Sequence, residues 1–116
     1  MGHMSSDSPT VFERIVAREI PADIVFESDS LIAFRDIAPQ APVHLLVVPK
    51  TAEYENVAQL AAGDPALLAE LVSVAAELAG GDHRLVFNSG SDAGQTVFHV
   101  HGHVLAGRLE EGNLAK

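Results

Sequence analysis

Three histidines stand at alternate positions late in this 116-residue chain, in the run Phe98-His99-Val100-His101-Gly102-His103-Val104-Leu105. Alternation is the period of a β-strand, in which residues two apart share a face. The pattern predicts a strand from about Val97 to Leu105, with His99, His101 and His103 projecting together at spacings of about 7 Å. Phe98, Val100, Gly102 and Val104 then point the other way. Three readings of such a row are open. It is a solvated strand face, although in an apolar run three polar rings need partners. It is a metal site, since imidazole binds zinc well, but rings on one strand converge poorly and need a further ligand, for which His44 is the candidate. Or it is a nucleophile with two neighbours, because neutral imidazole attacks phosphorus and moves protons near neutral pH.

Composition narrows the choice. The chain has no cysteine, which removes disulfides, thiol catalysis and zinc-thiolate sites. Sixteen acidic against seven basic residues give a net charge of −9. Such a surface repels long nucleic acid and anionic membranes, while leaving a small nucleotide open as a ligand of helix ends or backbone amides. No stretch approaches a membrane span, and the first ten residues lack an apolar signal segment, so a cytoplasmic protein without a membrane partner is expected. Aromatics are few, at five Phe, one Tyr and no Trp, so aliphatic residues must fill the core. The length suits one domain, and so modest a core makes a homodimer the expected state.

Along the chain, residues 1–9 read as a disordered lead-in. Met1-Gly2-His3 before Met4 looks like a cloning remnant, so His3 is set aside. Residues 10–116 form the single domain. Val11, Phe12, Ile15 and Val16 recur at helical spacing before Pro21. Ile24–Phe26 and Leu31–Phe34 read as a hairpin whose turn lacks glycine. Ala38-Pro39-Gln40-Ala41-Pro42 is a stiff connection, followed by a buried strand from His44 to Val48. A short helix is expected over 53–62. Asp64-Pro65 starts the longest helix, with Leu67, Leu71, Val74 and Leu78 on one face and Gly80-Gly81 ending it. Leu85–Phe87 makes a fourth strand and Ser91–Gln95 a polar loop. The order of elements predicts an α+β fold with an antiparallel sheet.

The row His99-Val100-His101-Gly102-His103-Val104-Leu105 resembles the signature of the histidine triad family. Two further segments extend the likeness to its Hint-like branch, the purine nucleoside phosphoramidases. They are Phe34 to His44, reading FRDIAPQAPVH, and Asn88 to Thr96, reading NSGSDAGQT. The resemblance runs in order from Val11 to Gly107. It implies a two-layer α+β fold with a five-stranded antiparallel sheet and two main helices, and a ten-stranded sheet across a dimer. It implies hydrolysis at the α-phosphorus of a purine nucleotide, releasing a nucleoside monophosphate such as AMP from an amine or related group. On this resemblance His101 is the nucleophile, forming a nucleotidyl-histidine intermediate. His103 contacts the phosphate, and His99 with His44 belongs to the supporting network. Asp36 holds the ribose. Val11, Phe12, Ile15, Phe34, Ile37 and Leu46 form the base pocket, and Asn88, Gly94, Gln95 and Thr96 surround the phosphate and leaving group.

Each of these has a plainer reading as well. Val11, Phe12 and Ile15 are equally a core face, Asp36 a turn residue, Asn88 a strand end and His44 a satisfied buried histidine. Three departures matter. Gly102 replaces the usual apolar residue, implying a gap or a close approach on the core side. Thr10 and Glu13 stand where some bacterial members carry zinc-binding cysteines, so neither structural zinc nor any other cofactor is expected. The tail, Glu110 to Lys116, lacks the tryptophan of animal members, so leaving-group preference does not carry over. The competing functions are dinucleoside polyphosphate hydrolysis, a nucleotide-binding module acting through partners, and a metal-dependent hydrolase.

Overall fold

The computed structural model describes residues 9–109. Residues 1–8 of the lead-in expected over 1–9, and the tail from residue 110, lie outside them. In chain order the elements are helix α1 (Val11–Val16), strands β1 (Ile24–Glu27), β2 (Leu31–Arg35) and β3 (Val43–Pro49), helices α2 (Val57–Gly63) and α3 (Pro65–Ala79), and strands β4 (His83–Val86) and β5 (Gly102–Ala106). The strands form one antiparallel sheet in the order β1-β2-β3-β5-β4.

Local chemistry explains where these elements begin and end. The β1–β2 turn does without glycine because Ser28 Oγ accepts the N–H groups of Ser30 and Leu31. Asp64 caps α3 by accepting the Leu67 N–H, Pro65 opens it, and Gly80 closes it at φ 74°. The predicted helix over 53–62 starts later, at Val57, because the Asn56 side chain caps it through the Gln59 N–H.

Strand alternation sorts the side chains into two layers. Leu31, Ala33, Leu45 and Val47 face α2 and α3, packing on Leu60, Leu67, Leu71 and Val74. Ile32, Phe34, Leu46 and Val48 face the opposite side, where Phe12 and Ile15 of α1 cover them. Leu31 and Leu71 are wholly buried, each stabilising the fold by about 1.5–3 kcal/mol.

The last strand departs from expectation. It begins at Gly102, not Val97, so only His103 of the three histidines lies within the ladder. Pairing with β3 stops at Val47 opposite Gly102. Upstream, the Val100 N–H turns to the Tyr54 carbonyl, and the Pro49 carbonyl meets the His99 ring instead of a backbone amide. The alternation of His99 and His101 is therefore kept by side-chain and loop contacts and not by sheet pairing. Gly102 marks a close approach. A β-carbon there would lie 2.9 Å from Leu85 Cδ1 and 3.1 Å from Phe87 Cε1, so those two side chains fill the space an apolar residue would take.

Candidate active site

Opposite α2 and α3, the sheet presents His44 and Leu46 of β3 beside His103 and Leu105 of β5. Leu46 pairs with His103 and His44 with Leu105. Two cavities meet at Asp36. One, of about 280 Å³, is apolar, and its lining includes Val11, Phe12, Ile15, Phe34, Ile37 and Leu46. All six residues expected around a base thus come together. Phe12 and Ile15 are buried core as well as cavity wall, while Ile37 is 99% exposed at the rim. The other cavity, of about 550 Å³, is lined by Asp36, His44, His101 and His103 on one side and by Asn88, Gly94 and Thr96 on the other.

Gln95 does not line either cavity. It is buried, its Oε1 accepts the Gly90 N–H at 2.8 Å, and its Nε2 donates to the Glu55 and Val97 carbonyls. It braces the loop that carries Gly94 and Thr96. Residues that sequence reasoning passed over also form the wall, namely Ala38, Gln40, Ala93 and Leu105. They lacked a signal because none of them carries an ionisable or nucleophilic side chain.

Hydrogen bonds fix the proton on each imidazole. His101 Nδ1 lies 2.8 Å from the His99 carbonyl. A carbonyl only accepts, so Nδ1 carries the proton and Nε2 keeps its lone pair. The Gln40 N–H donates to His44 Nδ1 at 2.9 Å, which leaves the proton of neutral His44 on Nε2. That Nε2–H faces His103 Nδ1 at 3.0 Å and Asp36 Oδ2 at 3.4 Å. His103 accepts at Nδ1 and so presents Nε2–H as its remaining donor. Asp36 serves both the turn and the site, since its Oδ1 accepts the Ala38 N–H at 2.8 Å.

Burial lowers the pKa of all four histidines and favours the neutral rings these bonds require. His103 is pushed down to about 4, by burial first and then by repulsion from His101 and His44, against the pull of Asp36. Phe12 packs edge-on against the His101 ring with centroids 4.8 Å apart, and against His99 at 5.6 Å.

Asp36, His44 and His103 bring ligand atoms within 4.8 Å of one another, as a metal site would. The Gln40 N–H opposes that use. A metal needs the lone pair of His44 Nε2, and freeing it would drive a proton onto Nδ1 against another N–H donor. The set fits a hydrogen-bond relay better than an ion. Thr10 and Glu13, which the resemblance aligned with zinc-binding cysteines, form a reciprocal cap on α1.

The HIT domain family model matches residues 17–110. The chain belongs to the HIT domain family. It is 50% identical over 107 residues to an uncharacterised HIT-like protein of Synechocystis, spanning 85% of this chain and 90% of that protein. It is 43% identical over 112 residues to the adenylylsulfatase HINT1 of Arabidopsis thaliana, spanning 89% of this chain and 74% of that one. Among solved structures, a HIT family hydrolase from Legionella pneumophila superposes with a TM-score of 0.81 at 42% identity, over 87% of this chain and 95% of its own. The five-stranded HIT fold and the family resemblance drawn from the triad both stand. Among the described residues no helix is long and apolar enough to cross a membrane.

Proposed function

We propose that this HIT domain hydrolyses purine nucleoside phosphoramidates at the α-phosphorus, releasing a nucleoside monophosphate such as AMP, through a nucleotidyl-histidine intermediate on His101. The observation that carries the reading is the 2.8 Å contact of His101 Nδ1 with the His99 carbonyl, which leaves Nε2 as a lone pair at the cavity. The purine enters the apolar cavity and Asp36 takes the ribose hydroxyls between the two cavities. Nε2 attacks phosphorus, the Nε2–P bond forms, and the P–N bond breaks as the amine leaves with a proton drawn from solvent. Water then cleaves the Nε2–P bond and returns a proton to solvent, giving the nucleoside monophosphate and free imidazole. His103 Nε2–H donates to a phosphate oxygen, with Asn88 and the Thr96 hydroxyl on the facing wall. No cofactor enters this scheme.

The cavity wall also bears on the leaving group. Among the described residues lining it there is no Lys or Arg, and the one carboxylate is Asp36. A polyphosphate chain or a sulfate would leave as an unneutralised anion there, whereas an amine leaves neutral or cationic. This favours the phosphoramidate over dinucleoside polyphosphates. The name of the Arabidopsis relative makes adenylyl sulfate the P–O substrate to compare. The proposal includes a cytoplasmic protein, a single domain over 10–116, and a homodimer with a ten-stranded sheet, for which β1 and β4 offer the two free edges.

The test incubates the protein with adenosine 5′-phosphoramidate, adenylyl sulfate and a diadenosine polyphosphate, with and without chelator, and traps the adduct for mass spectrometry. AMP release with a histidine adduct, lost in His101→Ala and indifferent to chelator, supports the reading. Binding without turnover would favour a nucleotide-binding module, and loss on chelation a metal hydrolase.

A further inference from the structure

The carbonyl that orients His101 belongs to a residue whose own ring is tied down at both nitrogens. His99 is completely buried. Its Nε2 lies 2.7 Å from the Pro49 carbonyl, and its Nδ1 lies 2.8 Å from Thr10 Oγ1. Since a carbonyl only accepts, Nε2 carries the proton and Nδ1 is a lone pair in need of a donor. Thr10 Oγ1 already accepts the Glu13 N–H at 3.1 Å as the N-cap of α1, so its own proton is free for His99. One hydroxyl thus accepts from the helix and donates to the triad.

We infer that Thr10 is a positioning residue for the reaction, its hydroxyl tying the cap of α1 to the His99 ring and so holding the carbonyl that orients His101. Two residues further along, Phe12 touches both the His99 and the His101 ring. Helix α1, which walls the apolar cavity, is therefore joined to the triad by a hydrogen bond and by ring packing. A valine at position 10 would keep the shape of threonine but lose both the acceptor and the donor, and serine would keep both. Aspartate would keep the cap but has no proton to give when ionised.

The kinetic part of this inference rests on His101 being the nucleophile, and the part read from the His99 ring does not. The full chain would carry Thr10→Val, Thr10→Ser and Thr10→Asp, with kcat and KM read on adenosine 5′-phosphoramidate and ring ¹⁵N shifts read for His99 and His101. Thr10→Ser is expected to stay within about twofold of the parent, and Thr10→Val to lose about tenfold or more in kcat with a smaller change in KM. In Thr10→Val the Pro49 carbonyl keeps the proton on Nε2 and the His99 Nδ1 shift moves to that of an unbonded lone pair, whereas in Thr10→Asp the ionised carboxylate draws a second proton onto Nδ1 while α1 stays folded by circular dichroism. An unchanged His99 Nδ1 shift in Thr10→Val overturns the inference. So does a Thr10→Ser protein as impaired as Thr10→Val, which would assign the effect to the lost methyl. Full turnover in His101→Ala would instead defeat the proposed reaction, with the His99 spectra still reporting on Thr10.

Discussion

His44 Nε2 sits 3.0 Å from His103 Nδ1, while the Gln40 N–H occupies the far nitrogen of His44. A main-chain amide thereby sets the proton of a ring it never touches. Removing the middle member, in His44→Ala, leaves His103 Nδ1 without its donor. Such a loss at a half-buried site costs about 1–3 kcal/mol, or about 5- to 150-fold in kcat. Steady-state kinetics checks the fall, and ring ¹⁵N shifts of His103 should turn from one tautomer to a mixture.

Acid should weaken the fold through the same rings. His103 titrates near 4 in the folded chain against 6.5 unfolded, and His44, His99 and His101 are shifted the same way. The unfolded chain therefore binds protons first, and stability falls as pH drops from 6.5 toward about 4. Above 6.5 these histidines add no slope. Urea midpoints across this range should decline with acid, and the decline should shrink in His103→Gln. A midpoint equally pH-dependent in that variant would contradict the assignment.

Gly102 should resist a side chain. Leu85 Cδ1 and Phe87 Cε1 stand at 2.9 and 3.1 Å from where a β-carbon would be. Gly102→Val is expected to destabilise by about 1–3 kcal/mol through overpacking, measured as a lower denaturant midpoint. Trimming Phe87 in the same chain, as Phe87→Ala with Gly102→Val, should recover part of that loss.

Gln95→Ala removes three hydrogen bonds from the loop between Gly90 and Val97. The backbone partners left behind are half-buried, so about 1–3 kcal/mol of stability is at stake. Because Gly94 and Thr96 line the larger cavity, KM should rise along with a lower melting temperature. A change in melting temperature with unaltered kinetics would uncouple the loop from the site.

What could be read from the sequence followed from local chemistry. Asp64-Pro65 and Gly80 marked both ends of α3 because caps act over a few residues. Six of the apolar residues lining the smaller cavity were recoverable only because a family pattern linked positions as distant as Val11 and Leu46. Periodicity misjudged the fifth strand. Alternating residues satisfy the strand period whether or not a neighbour pairs with them, and the partner of His99 is a proline carbonyl fifty positions away. The roles of Thr10 and Gln40 escaped notice for a related reason. Their contributions are a cap hydroxyl and a main-chain amide, whose partners are set only by the folded geometry.

Phe12 belongs at once to the wall of the apolar cavity and to the packing around His101. Anyone redesigning the proposed base pocket to accept a bulkier group would be tempted to trim that ring, and would loosen the packing around His101 in the same stroke. Val11 and Ile37 border the cavity from exposed positions, so the proposed pocket is better retuned there, where a new side chain has open solvent to yield into and the His101 ring stays undisturbed.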